Sequence, residues 1–422
     1  MGYRQLSTVR DLQEVVAKGL CTGCGLCESI AGCGSVKMRV TSFGQIRPHV
    51  KKELKADTLA RILAICPGAS VTGPDRSSVV RDGEMHPVWG PIGPLYRGWA
   101  SDEQVRHRAA AGGVLTALGC YLLQSGEVDA ILHVKASTTD PVATDAQVST
   151  TIEEVVAGAQ SRYGPAAPLV HVHRLLAEGR RFAVIGKPCD ASAIRNLAKI
   201  DSRVDEQIPY ILTLFCGGVP NVQTAHKMAA YHGLTPEQIA LFRWRGNGWP
   251  GTTHIEAKDR RQFDVDYQTA WFNPAMPWTY DIQFRCKICP DAIGEAADVA
   301  CPDGWVMENG KPIYREAPGV NIAIPRTERG RRLVENAAAA GAITLEPFSV
   351  AELDRMHADH YQRKLENPGR QLGLTLSGEP SPAIRRYRFL ATLLRAGPKM
   401  TWRELRGTLR RARGGANREP LD

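Results

Sequence analysis

The chain has no apolar run near the roughly 18 residues that a membrane-spanning helix needs, so no spanning segment is expected in its 422 residues. The N-terminal stretch MGYRQLSTVRDLQEVV carries charges where a secretory signal needs its apolar segment. That disfavours export and points to a reducing, cytoplasmic setting. No G-x-x-x-x-G-K-[ST] loop is present, so a standard nucleoside-triphosphate site is not indicated. No repeat of fixed period occurs, which sets aside solenoids and propellers.

What the chain does have is cysteine, eleven in all. In a reducing compartment so many thiols indicate metal or redox chemistry more than disulfides, and a chain this long needs no disulfide staples. The net charge of +9 could suggest nucleic acid, but much of it sits in the last forty or so residues, in AIRRYRFLATLLRAGPKMTWRELRGTLRRARGGANR. A nucleic-acid partner is therefore disfavoured. The tail reads as a solvated basic helix pair or as a docking face for an acidic electron donor.

Punctuation and periodicity divide the chain into four parts. Residues 1–75 form a small N-terminal module, and residues 76–95, with most of GEMHPVWGPIGPLY, form a linker in which Pro and Gly disfavour helix and sheet. Residues 96–365 alternate strand-like LYRGWA, AILHVKA, RFAVIG and YILTLFC with helical GGVLTALGCYLLQSG, TTIEEVVAGAQ, ASAIRNLAKI and NVQTAHKMAAYHG. This predicts an α/β (α+β) domain. Residues 366–422 form the basic helical tail.

Cys21, Cys24 and Cys27 are spaced C-x2-C-x2-C, the spacing by which a tight loop turns three thiolates onto one iron–sulfur cube while a fourth, followed by Pro, arrives separately. Gly23 and Gly25 suit that turn. Zinc prefers two separated C-x2-C pairs, and no second pair lies nearby. Cys66 opens Cys-Pro-Gly and is the preferred fourth ligand, with the nearby Cys33 as the alternative. A second set comprises Cys286 and Cys289 in CKICPD, Cys189 in GKPCD and Cys216 in LTLFCGG. Cys189 and Cys216 fall where strands give way to helices, the edge at which α/β sheets bind ligands. Four thiolates from three segments could meet there, although a lone C-x2-C pair is also a zinc or redox-active motif. Cys120 reads as core, and Cys301, in another Cys-Pro, stays open as a ligand.

Seven ordered segments give the chain a resemblance over about residues 21–363: CTGCGLC, AAAGGVLTALGCYLL, SRYGPAAP, GKPCDASAIRNL, LFCGGVPN, RWRGNGWPG and CKICPDAIGEAADVACPDGW. It resembles the coenzyme F420 hydrogenase/dehydrogenase beta-subunit family of iron–sulfur flavoproteins, which also includes 7-hydroxymethyl chlorophyll a reductase and one type of divinyl chlorophyllide 8-vinyl reductase. The resemblance implies a ferredoxin-like cluster module, a mixed-sheet flavin-binding domain with C-terminal helices, FAD, and two 4Fe–4S clusters. It implies that Cys189, Cys216, Cys286 and Cys289 hold the cluster nearer the flavin. Flavin contacts would come from Gly112 and Gly113, from Ser161, Arg162 and Tyr163, and from Gly246, Asn247 and Trp249 beside Arg245. Ala110 and Ala111 stand where the family commonly has Ser-Ser, which removes two hydroxyls from that site. Ferredoxin or a deazaflavin coenzyme is the implied electron donor.

The main functional reading is a reductase that passes electrons through clusters to FAD and on to an organic substrate. The alternative is an electron-transfer beta subunit of a hydrogenase or formate dehydrogenase type of complex, working with partner subunits or as a homo-oligomer. A zinc-stabilised binding protein is a third, minor reading. No catalytic acid stands out among His49, His86, His107, Tyr163, Asp190 and Asp303.

Overall fold

In the computed structural model, residues 9–275 and 281–421 are described. The N-terminal module opens with helix Leu12–Ala17, capped by the Asp11 side chain, which accepts from the Glu14 N–H. The cysteine loop follows and runs into α1 (Leu26–Ala31). An antiparallel hairpin pairs Val36–Val40 with Ile46–Val50, in register from Val36 opposite Val50. α2 (Ala56–Ile65) then ends at Cys66, where Pro67 blocks a further turn.

The main domain is built on one eight-stranded mixed sheet. Its strands in chain order are β1 (Leu95–Ala100), β2 (Ala130–Ala136), β3 (Thr144–Ser149), β4 (Phe182–Gly186), β5 (Ile211–Thr213), β6 (Val299–Ala300), β7 (Asn321–Pro325) and β8 (Ile343–Phe348). Their spatial order is β8-β1-β7-β6-β5-β4-β2-β3. The four central strands β6, β5, β4 and β2 run parallel, and antiparallel pairs flank them. The predicted α/β (α+β) class is the observed one.

Alternation along the parallel strands makes two cores. Leu132, Val184 and Ile211 point to the layer of α4 (Pro188–Leu197), while Ile131, Ala183 and Leu212 point to the layer of α3 (Val114–Gln124). Cys24, Leu26 and Ile65 of the N-terminal module pack into the α4 layer. The module is therefore seated against the sheet by shared apolar burial.

Two expectations differ from the structure. The 76–95 stretch is not without sheet: Glu84–His86 pairs antiparallel with Gly90–Ile92. Trp89 in its turn is fully buried, donates its indole N–H to Asp354 at 2.6 Å and stacks on Phe215 at 5.9 Å. Burial of that indole outweighs the local preference of Pro and Gly for open structure.

The tail is not a solvated pair of helices either. α5 (Ala358–Leu376) runs unbroken through residues 365 and 366, and α6 (Phe389–Arg413) folds back along it, interrupted at Gly397, which has a φ of +69°. A Cβ at Gly369 would stand 2.6 Å from the Thr401 carbonyl oxygen, so glycine permits the close approach of the two helices. Ala412 joins Val15, Leu20, Cys21, Phe284 and Ile288 in one apolar cluster, and the Glu419 N–H donates to the Ala17 carbonyl at 3.1 Å.

Candidate functional site

The first thiol set is assembled by a loop that only glycine can make. Gly23 and Gly25 take φ of +75° and +85°, and a Cβ at Gly25 would stand 2.6 Å from Val170. Cys21 and Cys24 are buried, and Cys27 and Cys66 half-buried. Burial pushes all four thiols up, Cys66 to about 11, and the charge each would carry is felt by the others: Cys24 by Cys66 and Cys21, and Cys27 by Cys24, Cys21 and Cys66. Cys66 thus stands with the C-x2-C-x2-C run. Cys33 is exposed beyond the end of α1, where its carbonyl accepts from Lys51 at 3.1 Å.

The second set gathers at the C-terminal ends of β4 and β5. Cys189 lies in the first turn of α4, Cys216 three residues beyond β5, and Cys286 and Cys289 in the segment after residue 283. All four line one cavity with Gln283, Arg285 and Arg363. Burial pushes Cys216 up to about 12, with Cys286 adding to the shift and Arg363 opposing it. Among the described residues no three His, Cys, Asp or Glu side chains converge closely enough to hold a single metal ion. The thiols stand around a cavity instead. Cys301 is buried among apolar residues, and burial alone raises its pKa, so it is apart from both sets; Cys120 packs partly buried in the same layer.

α5 holds the Cys286–Cys289 loop by its carbonyl oxygens. Arg363 donates to Cys216, Gly217 and Cys286 at 2.9–3.0 Å, Asn367 to Ile288 and Cys289 at 3.2 and 3.1 Å, Arg370 to Lys287 at 3.0 Å and Gln371 to Ile288 at 2.7 Å. Lys364 donates to Pro290 at 2.8 Å and pairs with the buried Glu295, which also pairs with Arg388. The helical spacing of these polar residues was visible in the sequence, but a solvated face has the same spacing.

A buried thiol favours its protonated form, whereas a metal ligand must be a thiolate, so a cluster site needs positive charge close by. Lys187 lies near Cys189 and Cys216, Arg363 near Cys216 and Cys289, Arg285 near Cys66 and Cys289, and Arg47 near Cys21 and Cys286. Eight thiols in two groups among four cations fit anionic iron–sulfur groups. The two sets adjoin, because Asp190, next to Cys189, is near enough to raise Cys24 further.

The predicted flavin segments meet around Arg245. This residue is 1% exposed and donates to Pro250 at 2.9 Å, Ala110 at 2.6 Å, the Tyr163 hydroxyl at 3.0 Å and the Asp303 carboxylate at 2.9 Å. Its guanidinium lies over the rings of Tyr267, Trp249 and Trp305 at 5.0–5.7 Å. Ser161 bridges to Arg245, and Asn247, with φ of +57°, accepts from Gln160 at 3.3 Å. Residues 246–251 read G-N-G-W-P-G, but they lie between strands Ile239–Arg243 and Thr253–Ala257 and open no helix. They lack the helix N-terminus on which a dinucleotide's pyrophosphate rests.

Gly112 and Gly113 serve the sheet directly. A Cβ at Gly112 would stand 2.7 Å from the Gly98 carbonyl oxygen and the Asn321 nitrogen, and the N–H of Val114 donates to the Asn321 side chain at 3.2 Å. Arg162 differs from its neighbours. Its pKa is lowered to about 10, by burial first and then by Arg108 and Arg243, and among the described residues the buried Arg162 Nε and Arg243 Nε have no hydrogen-bond partner. Guanidinium groups with unused donors fit a phosphate-bearing cofactor.

Of the candidate acids, His86 is used structurally, its ring accepting from Val88 and Trp89, and Asp190 is paired with Lys187 at 2.9 Å. Tyr163 and Asp303 are brought together by Arg245. His357 was missed by sequence reading: its Nε2 lies 2.9 Å from the Asp303 carbonyl oxygen, and burial lowers its pKa to about 4. A neutral ring next to a carbonyl donates, so Nε2 carries the proton.

Comparison with known proteins gives a consistent answer. Residues 95–174 match the description "Coenzyme F420 hydrogenase/dehydrogenase, beta subunit N-term", and residues 179–351 match its C-terminal counterpart. The chain is 28% identical over 252 residues to the F420-dependent formate dehydrogenase subunit beta of Methanocaldococcus jannaschii, covering 58% of this chain and 60% of that one. It is 23% identical over 372 residues to the coenzyme F420-dependent sulfite reductase of the same organism, covering 84% of this chain and 52% of that protein. The matches thus span about 60% or less of these relatives' length. A chain of the F420-reducing [NiFe] hydrogenase complex from Methanosarcina barkeri shares the fold, with a TM-score of 0.54 at 16% identity over 70% of this chain and 97% of that one. With the two matches together taking in every strand of the eight-stranded sheet, this chain belongs to the coenzyme F420 hydrogenase/dehydrogenase beta-subunit family.

Proposed function

We propose that this chain is an electron-transfer oxidoreductase module that exchanges a hydride with a deazaflavin coenzyme and passes the electrons singly to or from a partner redox subunit. The observation that carries the reading is the pair of adjoining four-thiol sets, threaded with the buried Arg47 and Arg285 and the half-buried Lys187 and Arg363. On this reading Cys189, Cys216, Cys286 and Cys289 hold one 4Fe–4S cluster and Cys21, Cys24, Cys27 and Cys66 another. FAD sits near Arg245, with its phosphates toward Arg108, Arg162 and Arg243. Such a flavin couples two-electron to one-electron chemistry, and clusters carry the single electrons onward.

The protein's own contributions are local. Arg162 and Arg243 offer unpaired donors to phosphate, and Arg245 holds the three flavin-facing segments in place. Tyr163 and Asp303 meet at its guanidinium. The expectation of a self-contained reductase of an organic substrate gives way to the subunit reading, because the matched formate dehydrogenase relative is itself named a beta subunit.

The test is anaerobic purification followed by iron, sulfide and flavin analysis and by mixing with reduced coenzyme F420. About eight irons per chain with matching sulfide, one extractable flavin, and bleaching of the flavin band by the reduced coenzyme are expected. A colourless zinc protein would refute the reading.

A further inference from the structure

The two thiol sets share a junction made by residues 283–285 together with Arg47 and Glu419. Gln283 donates through Nε2 to the Cys286 sulfur at 3.3 Å and accepts at Oε1 from Arg47 at 3.0 Å. Arg47, 2% exposed, is gripped by the buried Glu419 carboxylate through Nε at 2.5 Å and Nη2 at 2.7 Å. Arg285 is also 2% exposed. One of its Nη atoms donates to the carbonyl of Pro67, the residue after Cys66, at 3.0 Å, and its side chain lines the cavity of the second thiol set. Its Nε and other Nη have no hydrogen-bond partner among the described residues.

A guanidinium keeps its charge even when buried, and buried donors left unpaired are costly, so they point to an acceptor beyond the protein's own atoms. Cluster sulfides are such acceptors, and hydrogen bonds to sulfur together with local charge set cluster potentials. Resting on the two-cluster reading, we propose that Arg285 and Arg47 are positioning residues shared by the two cluster sites, raising the reduction potentials of both, while Glu419 moderates Arg47. Reduction adds negative charge to a cluster, and a fixed cation in a low-dielectric interior stabilises the reduced form. Arg285 is felt by Cys66 and Cys289 and Arg47 by Cys21 and Cys286, one thiol from each set in both cases.

The experiment is a potentiometric titration followed by electron paramagnetic resonance on the anaerobically purified full chain, with Arg285→Gln, Arg285→Lys and Glu419→Gln. Arg285→Gln is expected to lower both cluster potentials by about tenfold in the reduced-to-oxidised ratio at fixed potential, about 59 mV for one electron. Arg285→Lys should restore most of that shift. Glu419→Gln should move the first cluster the opposite way, upward. Unchanged potentials at unchanged iron content in Arg285→Gln overturn the proposal. If that variant loses its clusters, a Glu419→Gln protein whose potential stays put or falls overturns it equally. A wild-type chain with one cluster refutes the two-cluster reading itself, which separates that failure from this one.

Discussion

Cys66 is half-buried and Cys33 exposed, and only Cys66 stands among the thiols of the N-terminal loop. The Cys-Pro signature pointed to it in the sequence because Pro ends α2 and turns the chain where it does. Cys66→Ser is expected to remove about four irons per chain, and Cys33→Ser none, as read by iron analysis and the visible spectrum of anaerobically purified protein. Loss of iron in Cys33→Ser alone would reverse the assignment. The residues around Arg245 were less legible. RGNGWPG marked the loop and the CPDGW segment ends at Trp305, but Tyr267 and His357 arrive from distant segments and carry no local motif. An aromatic or histidine in an ordinary apolar stretch reads as core until its neighbours are known.

Periodicity located most elements. AILHVKA is β2 from end to end, because four of its residues are buried in succession and the segment is bounded by turns. β3 was missed: TDAQVS lies at the sheet edge and buries only its end residues, so its pattern is too polar to announce a strand. α5 illustrates the opposite difficulty. Its helix was expected, but its polar face serves the carbonyls of the Cys286–Cys289 loop instead of water. That service depends on α6 holding α5 in place through the close approach at Gly369. Gly369→Ala is therefore expected to cost about 2 kcal/mol by overpacking, measured as a fall in the thermal or urea midpoint. An unchanged midpoint would show that the α5–α6 contact yields to a methyl group at no cost.

At the scale of the molecule, residues 417–419 close on the N-terminal module. Glu419 pairs with Arg47 in the interior, and Asn417 lies against Gly19, where a Cβ would be 2.6 Å from the Asn417 carbonyl oxygen. Removing residues 414–422 leaves Arg47 buried without its carboxylate, and breaking such a pair costs about 3–5 kcal/mol. The truncated chain is expected to melt earlier and to lose iron from the N-terminal set first, as followed by a thermal melt and by iron retention over time. Retention of full stability would mean that water reaches Arg47 once the tail is gone. The tail's net positive charge had suggested a separate, solvated appendage. Charge composition reports what a segment could meet in solution, but not the single carboxylate at its end that the fold buries.

The sequence by itself determined what neighbouring residues decide: the α/β alternation, the C-x2-C-x2-C turn with its glycines, the Cys-Pro stop after α2, and the second C-x2-C. These depend on spacing and backbone preference over a few residues. Only the tertiary structure decided which thiols share a cavity, which cations stand between the two sets, and that residues 417–419 close on Ala17, Gly19 and Arg47 of the N-terminal module. Those relations join segments tens to hundreds of residues apart. They are fixed by burial of the β4–β5 sheet edge, α5 and the N-terminal module against one another, a property of packing that no local pattern carries.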